Sequence, residues 1–247
     1  MRTSISAALA ALLAAAAAPA TAQAADVARP ALGLMGTIPL YWGETDGLDE
    51  IVDGTAEPHW ARGELAADYE LRPLAYLDAA ALAAFDYLLL AQPRALSGEE
   101  NVALDAWVRA GGRLLLFADP MMTGHSRFAI GDRRRPQGVT LLSPILAHWG
   151  LTMEFVEDQP FGMRRVDAEA AAIPVNLPGR FAAPGTTGDC ALSGERILAR
   201  CALGQGTATI LADAAVLDLH EPDPGAPAAL RGLVRLAFGE SGENAGP

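Results

Sequence analysis

The chain has 247 residues, and its excess of acidic over basic residues, 30 against 18, gives a formal net charge of −12 at pH 7. Such an acidic protein is repelled by phosphate backbones and by anionic lipid surfaces, so we predict that it binds neither nucleic acid nor a membrane surface. The length is typical of one large domain, or of one domain with an appendage.

The first 24 residues have the pattern of a secretory signal peptide. Arg2 provides a positive start, residues 5–18 are apolar apart from Ser6, and Ala22-Gln23-Ala24 fits the small-x-small cleavage rule. A membrane-spanning helix needs about 20 apolar residues, so this run is too short to remain as an anchor. We predict cleavage after Ala24, a periplasmic product and no stable membrane insertion after cleavage.

The first predicted strand comprises residues 32–35 with Ile38. It runs into Tyr41, Trp42 and Glu44. Ligands of open α/β sheets bind outside the carboxyl ends of the strands, so Tyr41 and Trp42 are candidate ligand-binding residues. The alternative is that both rings only cover the core.

The next segment is predicted to leave the sheet and return to its edge. Residues 46–63 are polar and predict a loop or an irregular helix. Residues 69–74 alternate and indicate an edge strand, because Pro73 cannot donate to a ladder. Asp78 is a suitable N-cap for a short helix over residues 79–84.

The best-defined unit covers residues 85–120 and predicts strand, helix, strand. Residues 87–91 and 113–118 suit parallel strands that are buried on both faces. Between them, Ser97 with Glu100 at N3 forms a capping box, and Gly111-Gly112 ends the helix. The unit predicts an α/β protein with a mostly parallel sheet.

The segment after this unit is predicted to be a long irregular loop, residues 121–140. It contains His125 and the cluster Arg133-Arg134-Arg135, which either binds an anion or pairs with local acidic groups. Ser143 is then predicted to be an N-cap with Pro144 at N1 of a helix that ends at Trp149. Residues 151–156 indicate another strand.

The last third is predicted to contain a β-hairpin with a disulfide. Residues 157–188 indicate loops with at most one short strand, over residues 172–175. The hairpin has Glu195 and Arg196 in its turn, which places Cys190 opposite Cys201. In an exported chain, these cysteines are expected to form a structural disulfide.

The chain is predicted to finish with a strand and a helix. Residues 207–212 form the strand and end at Asp213, and residues 230–238 form an amphipathic helix. The domain is thus predicted to cover residues 25–238, followed by a disordered tail over residues 239–247.

Known catalytic and cofactor motifs are missing from the sequence. A nucleophile elbow, a P-loop and a dinucleotide fingerprint do not occur. His125 and Ser126 with Asp119 form a triad by composition only, and His220 lies near acidic residues without metal-ligand spacing. We therefore predict no catalytic residue, no metal and no cofactor.

Contact residues nevertheless accumulate where the predicted strands end. We predict that these residues converge on one ligand-binding crevice. The candidate ligand-binding residues are Tyr41, Trp42, Gln92, Arg94, Asp119, His125 and Asp213.

Two stretches resemble a known family. LLLAQPRALSGEENVALDAWVRAGGRLLLFADP, residues 88–120, is similar to the core of the ABC-type transport auxiliary domain found in gliding-motility-associated ABC transporter auxiliary proteins. GQGTATILADAAVLD, residues 204–218, resembles a later strand of that family. The resemblance implies a flavodoxin-like sheet with helices on both faces, akin to class I glutamine amidotransferases. The catalytic Cys of those enzymes and its His partner are missing here.

These observations leave three hypotheses about function. The first is a non-catalytic extracytoplasmic binding or interaction domain, auxiliary to an ABC-type transport or envelope system. Its partners would be permease and ATPase components or envelope proteins. The second is a periplasmic hydrolase that acts on a small or sugar-like substrate. The third is a scaffold of the envelope. The missing nucleophile motif and metal spacing favour the first.

Overall fold

A computed structural model of the protein describes residues 28–169, 171–183 and 189–239, and its centre is a seven-stranded sheet. The strands of this sheet are β1 (Ala31–Gly36), β2 (Glu70–Pro73), β3 (Tyr87–Ala91), β4 (Arg113–Phe117), β9 (Asp189–Ser193), β10 (Leu198–Leu203) and β11 (Gly206–Leu211). Two small antiparallel sheets pair β5 (Thr152–Phe155) with β8 (Gly179–Ala182) and β6 (Arg164–Ala168) with β7 (Ala171–Val175).

The strand order of the large sheet is β2-β1-β3-β4-β11-β10-β9. The first five strands run parallel, and β10 and β9 continue the sheet antiparallel. In β3 and β4, the leucines at positions 88–90 and 114–116 are fully buried, as expected for central strands that are covered on both faces. The predicted α/β class with a mostly parallel sheet is confirmed.

Helices cover both faces of the sheet. The helices are α1 (Leu48–Val52), α2 (Trp60–Ala66), α3 (Ala79–Leu82), α4 (Gly98–Arg109), α5 (Ser143–His148) and α6 (Ala226–Phe238). One hydrophobic core contains α2, α6 and the β6–β7 hairpin, and the other contains α3, α4 and α5. Within the described part of the chain, no helix is both long enough and apolar enough to cross a bilayer.

The predicted capping box of α4 is present. Ser97 Oγ accepts the N–H of Glu100 at 3.1 Å, and the Glu100 carboxylate accepts the N–H of Ser97 at 2.9 Å. Glu100 also accepts hydrogen bonds from Arg94 and from the N–H of Leu77. The Arg94 hydrogen bonds, with the two N–H groups, outweigh burial and lower the pKa of Glu100 to about 2.

The predicted hairpin and disulfide are confirmed. β9 and β10 are antiparallel, Cys190 is paired with Cys201, and the two cysteines are bonded. The turn contains Gly194, Glu195 and Arg196, all with positive φ. The predicted edge strand is also confirmed, because β2 is the last strand on one side of the sheet and, among the described strands, pairs with β1 alone.

Some expectations were wrong. The described part of residues 157–188 contains three strands, β6, β7 and β8, whereas at most one was predicted. These short strands pair outside the large sheet, and Pro and Gly in this region conceal their alternation. Ser143 is the first residue of α5 and makes no capping hydrogen bond; the N-cap is Leu142. α6 begins at Ala226, four residues before its predicted start. For residues 46–63, where a loop or an irregular helix was predicted, the structure has the short helix α1 and the start of α2.

Several predictions fall beyond the described residues. The predicted signal peptide, residues 1–24, lies outside them, as do residues 240–247 of the predicted tail. The signal peptide, the disordered tail and the extent of the domain therefore stay predictions.

Candidate functional site

A polar cleft with a volume of about 720 Å³ lies beyond the carboxyl ends of β1, β4 and β11. Three separate segments of the chain line it, each of them following one of these strands. The polar and aromatic side chains of its wall are those of Glu44, Glu50, Glu57, Trp60, Arg127 and His220. The cleft is thus at the edge of the sheet where ligands of parallel α/β proteins bind.

Glu44 forms the polar centre of this wall. Its side chain is only 3% exposed, and its Oε2 lies 3.1 Å from Nε2 of His220 and accepts the N–H of Arg127 at 2.9 Å. Burial opposes ionisation of Glu44. The hydrogen bonds from Ser126, Arg127 and His220 together outweigh this effect and lower its pKa, so Glu44 is a carboxylate at neutral pH.

Arg127 joins the loop after β4 to the loop after β1. Its guanidinium donates to the carbonyl oxygen of Glu44 at 3.2 Å and forms an ion pair with Asp46. Arg134 of the same loop also donates to the carbonyl oxygen of Asp46, at 3.0 Å, and lies over the ring of Phe128. Arg127 and Arg134 therefore bind the loop after β4 to the segment that contains Glu44 and Asp46.

His59 and Trp60 hold the start of α2 against the segment after β11. His59 is buried; its Nδ1 accepts the N–H of Ala61 at 3.1 Å, and its Nε2 lies 2.9 Å from the carbonyl oxygen of Leu217. Trp60 Nε1 donates to the carbonyl oxygen of Asp218 at 2.8 Å. Burial lowers the pKa of His59 to about 4, so it is neutral and donates through Nε2.

Tyr41 and Trp42 line a second, apolar pocket of about 150 Å³ at the ends of β1, β2 and β3. The Tyr41 ring packs against the core, and Arg62 stacks over it at 4.1 Å. Trp42 meets Tyr41 edge to face and is 43% exposed. Tyr41 therefore fits the alternative that the ring only covers the core. The exposed ring of Trp42 is accessible to a ligand.

Gln92 and Arg94 make internal contacts after β3. Gln92 is fully buried; its Oε1 accepts the N–H of Asp119 at 2.7 Å, and its Nε2 donates to the carbonyl oxygens of Asp119 and Gln137, both at 2.9 Å. Arg94 forms a bidentate pair with Glu100. A ligand contact by either residue stays a prediction.

Asp119 and Asp213 lie at adjacent strand ends and are almost completely buried. The oxygens of each carboxyl group accept two backbone N–H groups. Three of these donors, Met121, Ala214 and Ala215, lie in the loops after β4 and β11, and the fourth, Asn176, lies between β7 and β8. Burial raises the pKa of Asp119 to about 7, and burial together with the charge of Asp119 raises that of Asp213. They hold the loops behind the cleft wall and do not line the cleft.

The remaining predicted groups are dispersed. His125 is exposed and lies in the loop after β4, outside the cleft lining. Asp218 accepts the N–H groups of His220 and Glu221, and Asp223 pairs with Arg165. Among the described residues, no three His, Cys, Asp or Glu side chains are grouped as metal ligands.

The pairing of Glu44 with His220 was missed by the sequence analysis. Glu44 was noted after the first predicted strand and His220 near acidic residues late in the sequence, but 176 positions separate them along the chain. The parallel order of β1 and β11 is the signal that could have joined them, because it brings both following loops to one edge of the sheet.

Comparison with known proteins gives one family. A family model described as an ABC-type uncharacterized transport system matches residues 45–175. No curated protein matches the sequence.

Solved structures show partial similarity. An exo-β-1,4-mannosidase from Opitutaceae bacterium strain TAV5 has 13% identity and a TM-score of 0.49, over 86% of this chain and 36% of its own. A β-galactosidase from Rahnella sp. R3 has 13% identity and a TM-score of 0.47, over 85% and 31%. A cytoplasmic protein from Salmonella typhimurium has 9% identity and a TM-score of 0.47, over 84% and 98%. This chain thus spans about a third of each glycosidase.

Proposed function

The chain belongs to the family of ABC-type uncharacterized transport systems, and from this we propose that it is a non-catalytic binding domain that assists an ABC-type transporter. Its partners are the permease and ATPase components of that transporter, or other envelope proteins. The domain presents a ligand or a partner segment to them and leaves it chemically unchanged.

The observation that carries the proposal is the polar cleft. Its volume of about 720 Å³ is in the range of small-molecule sites, about 300–1,000 Å³. Three segments that follow parallel strands supply its wall, as is usual for ligand sites of open α/β sheets. The internal hydrogen bonds of Glu44 with Arg127 and His220 fix part of this wall before any ligand arrives.

The wall favours a neutral, hydroxyl-rich ligand. Carboxylates of Glu50 and Glu57 are acceptors for ligand hydroxyl groups, and the Arg127 guanidinium is a donor. The Trp60 ring adds an apolar contact surface. Because Glu44, Glu50 and Glu57 outnumber Arg127 in the wall, a cationic ligand is the alternative that the titration below has to separate.

We also propose an extracytoplasmic location. The predicted signal peptide supports it, and so does the Cys190–Cys201 disulfide, because such bonds persist mainly in oxidising compartments. The fold is inferred to be flavodoxin-like, because the order β2-β1-β3-β4-β11 corresponds to the 2-1-3-4-5 order of that class. The relation to class I glutamine amidotransferases rests on the central motif alone.

Crosslinking in cells tests the auxiliary role. A photo-crosslinking residue in place of Glu57, at the exposed rim of the cleft, is expected to capture a permease component of an ABC-type transporter. The same residue in place of Glu154, exposed on β5 and outside the cleft lining, serves as the matched control. Equal capture of the permease at both positions, or capture at neither, contradicts the proposal.

Calorimetric titration tests the cleft. Maltose, cellobiose and chitobiose are the neutral probes, and spermidine is the cationic one. At least one disaccharide is expected to bind. In His220→Ala the affinity is expected to be about tenfold weaker, because the wall loses the hydrogen bond between His220 and the charged Glu44. Binding of spermidine alone, or of no probe, contradicts this ligand class.

One observation favours the hydrolase alternative: Glu44 contacts both Ser126 and His220. In a nucleophilic triad, however, the His lies between the Ser and the acid, whereas here the carboxylate occupies the middle. The binding proposal expects no hydrolysis of an ester and glycoside panel. Hydrolysis that is abolished in Ser126→Ala and His220→Ala would establish the alternative.

A further inference from the structure

Two aspartates stand side by side at the carboxyl ends of the neighbouring parallel strands β4 and β11. Leu211 of β11 is paired with Phe117 of β4, and Asp213 and Asp119 each follow two residues later. Asp213 is 0% exposed and Asp119 is 1% exposed. Both carboxyl groups are thus held out of water at the same level of the sheet.

The two carboxyl groups brace three loops. Asp119 accepts the N–H of Met121 at 2.8 Å and, across the sheet edge, the N–H of Ala214 at 3.1 Å. Asp213 accepts the N–H of Ala215 at 2.6 Å and that of Asn176, between β7 and β8, at 2.9 Å. The loop after β4 is thereby tied to the loop after β11.

The braced loops continue directly into the cleft wall. Six residues after Met121, the loop after β4 supplies Arg127, and five residues after Ala215, the loop after β11 supplies His220. In the loop after β11, the carbonyl oxygens of Leu217 and Asp218 accept hydrogen bonds from the side chains of His59 and Trp60. The relative position of Arg127 and His220 therefore depends on the brace.

Few charges offset those of the pair. Arg164 of β6 favours the ionised form of Asp213, but Arg164 itself pairs with Glu195 at 3.1 Å. From the end of β3, the neutral amide of Gln92 contacts the backbone of Asp119. From the β7 side, the contact is the backbone N–H of Asn176. Two ionised carboxylates here would repel one another in a poorly solvated place.

Burial raises the pKa of Asp119 to about 7 and, together with Asp119, raises that of Asp213. The folded chain therefore binds more protons than the unfolded chain between the ordinary carboxyl pKa and about 7. The stability that Asp119 contributes in this way is complete below the ordinary carboxyl pKa and is lost as the pH rises through about 7. The charge of an ionised Asp119 then opposes the ionisation of Asp213 in addition to burial.

We propose that the Asp119–Asp213 pair is a proton-controlled brace, which holds the two cleft-lining loops together when the pair carries a proton and loosens them when both groups are ionised. The brace regulates the site of the proposed function and rests on it in that respect. Loosened loops would separate Arg127 from His220 and weaken binding in the cleft.

Amide hydrogen exchange of the full mature chain tests the brace without any ligand. After correction for intrinsic exchange, residues 121–127 and 214–220 are expected to open about tenfold more at pH about 8.5 than at pH about 6. Residues 88–91 of β3 are the internal reference and are expected to change less. The response is the factor by which opening increases between the two pH values. In Asp119→Asn the like-charge repulsion is removed, so the logarithm of this factor is expected to be less than half of the wild-type value.

If Asp119→Asn does not fold, Asp213→Asn is measured instead, with the same expected result. Asp158→Asn, at an exposed position, is the matched control and should show the same pH response as the wild type. A wild-type response below threefold overturns the brace, and so does an undiminished response in the Asn variant. A normal response combined with no ligand or permease binding would instead contradict the proposed function and leave the brace intact.

Discussion

Gln92 has a left-handed backbone, φ 47°, at the carboxyl end of β3 and is fully buried. Its amide joins Asp119 to Gln137, and its carbonyl oxygen accepts the hydroxyl of Thr37 at 2.6 Å. The unusual conformation is thus accompanied by a set of hydrogen bonds that connects the loops after β1, β3 and β4. This residue organises the sheet edge behind the site.

Replacing Gln92 by Glu tests that role. The shape is retained, but Nε2 becomes an acceptor that faces the buried carbonyl oxygens of Asp119 and Gln137. We expect the free energy of unfolding in urea to fall by about 2–4 kcal/mol. Gln205→Glu, in an exposed turn, is expected to change it by less than about 0.5 kcal/mol. Similar values for the two variants would contradict the assignment.

His59 is expected to make the free energy of unfolding decrease at acidic pH. Its pKa is about 4 in the folded chain, below the ordinary value of 6.5, so folding favours the neutral ring. The contribution is complete above pH 6.5 and is lost as the pH falls towards 4, amounting to about 3 kcal/mol.

The measurement compares the wild type with His59→Asn, which retains an N-cap acceptor for α2 and does not titrate. Urea unfolding between pH about 4 and 7 should show a steeper loss in the wild type, by about 3 kcal/mol over the window. Parallel pH profiles would mean that His59 titrates normally.

At the scale of the element, the capping box of α4 predicts a difference between two serines. Ser97→Ala removes the acceptor for the N–H of Glu100 and should lower the free energy of unfolding by about 1 kcal/mol. Ser143→Ala, at the first residue of α5, removes no capping bond and should cost less than about 0.5 kcal/mol. A larger loss for Ser143→Ala would refute this assignment.

The edge hairpin of β9 and β10 depends on its disulfide. The bond closes a loop between cysteines separated by 11 residues, and its removal in Cys190→Ala/Cys201→Ala should cost about 2–3 kcal/mol. Thermal unfolding with and without reductant measures the effect. Reductant should destabilise the wild type and leave the double variant unchanged; equal sensitivity of the two would exclude a structural role.

At the scale of the whole molecule, both hydrophobic cores share the leucine-rich strands β3 and β4. Leu89 and Leu115 face one core, and Leu88 and Leu114 face the other. If either core lost its packing, one face of β3 and β4 would be exposed to water, and the strands that support the other core would be destabilised. Residues 25–238 are therefore expected to unfold as one unit.

Scanning calorimetry of the mature chain tests this prediction. One transition with equal calorimetric and van't Hoff enthalpies is expected. Leu89→Ala and Leu114→Ala, one on each face, should both lower the single melting temperature, with a cost of about 2–5 kcal/mol each. Two transitions, each shifted by only one of the variants, would show two independent units.

The sequence by itself determined the elements whose signals are local. The apolar runs of β3 and β4, the Ser97–Glu100 capping box and the Cys190–Cys201 register all follow from residues close in the chain. The family was visible in the same central motif, because that motif encodes a strand, a capped helix and a strand.

Only the tertiary structure decided the pairing of distant groups. Glu44 meets His220, and Asp119 reaches the loop that begins at Ala214, because parallel strands far apart in the chain end at one edge of the sheet. The same is true of β6, β7 and β8, whose short strands pair with one another or with β5 outside the main sheet. Hydrogen bonds and burial across such distances depend on strand order, which local propensity does not encode.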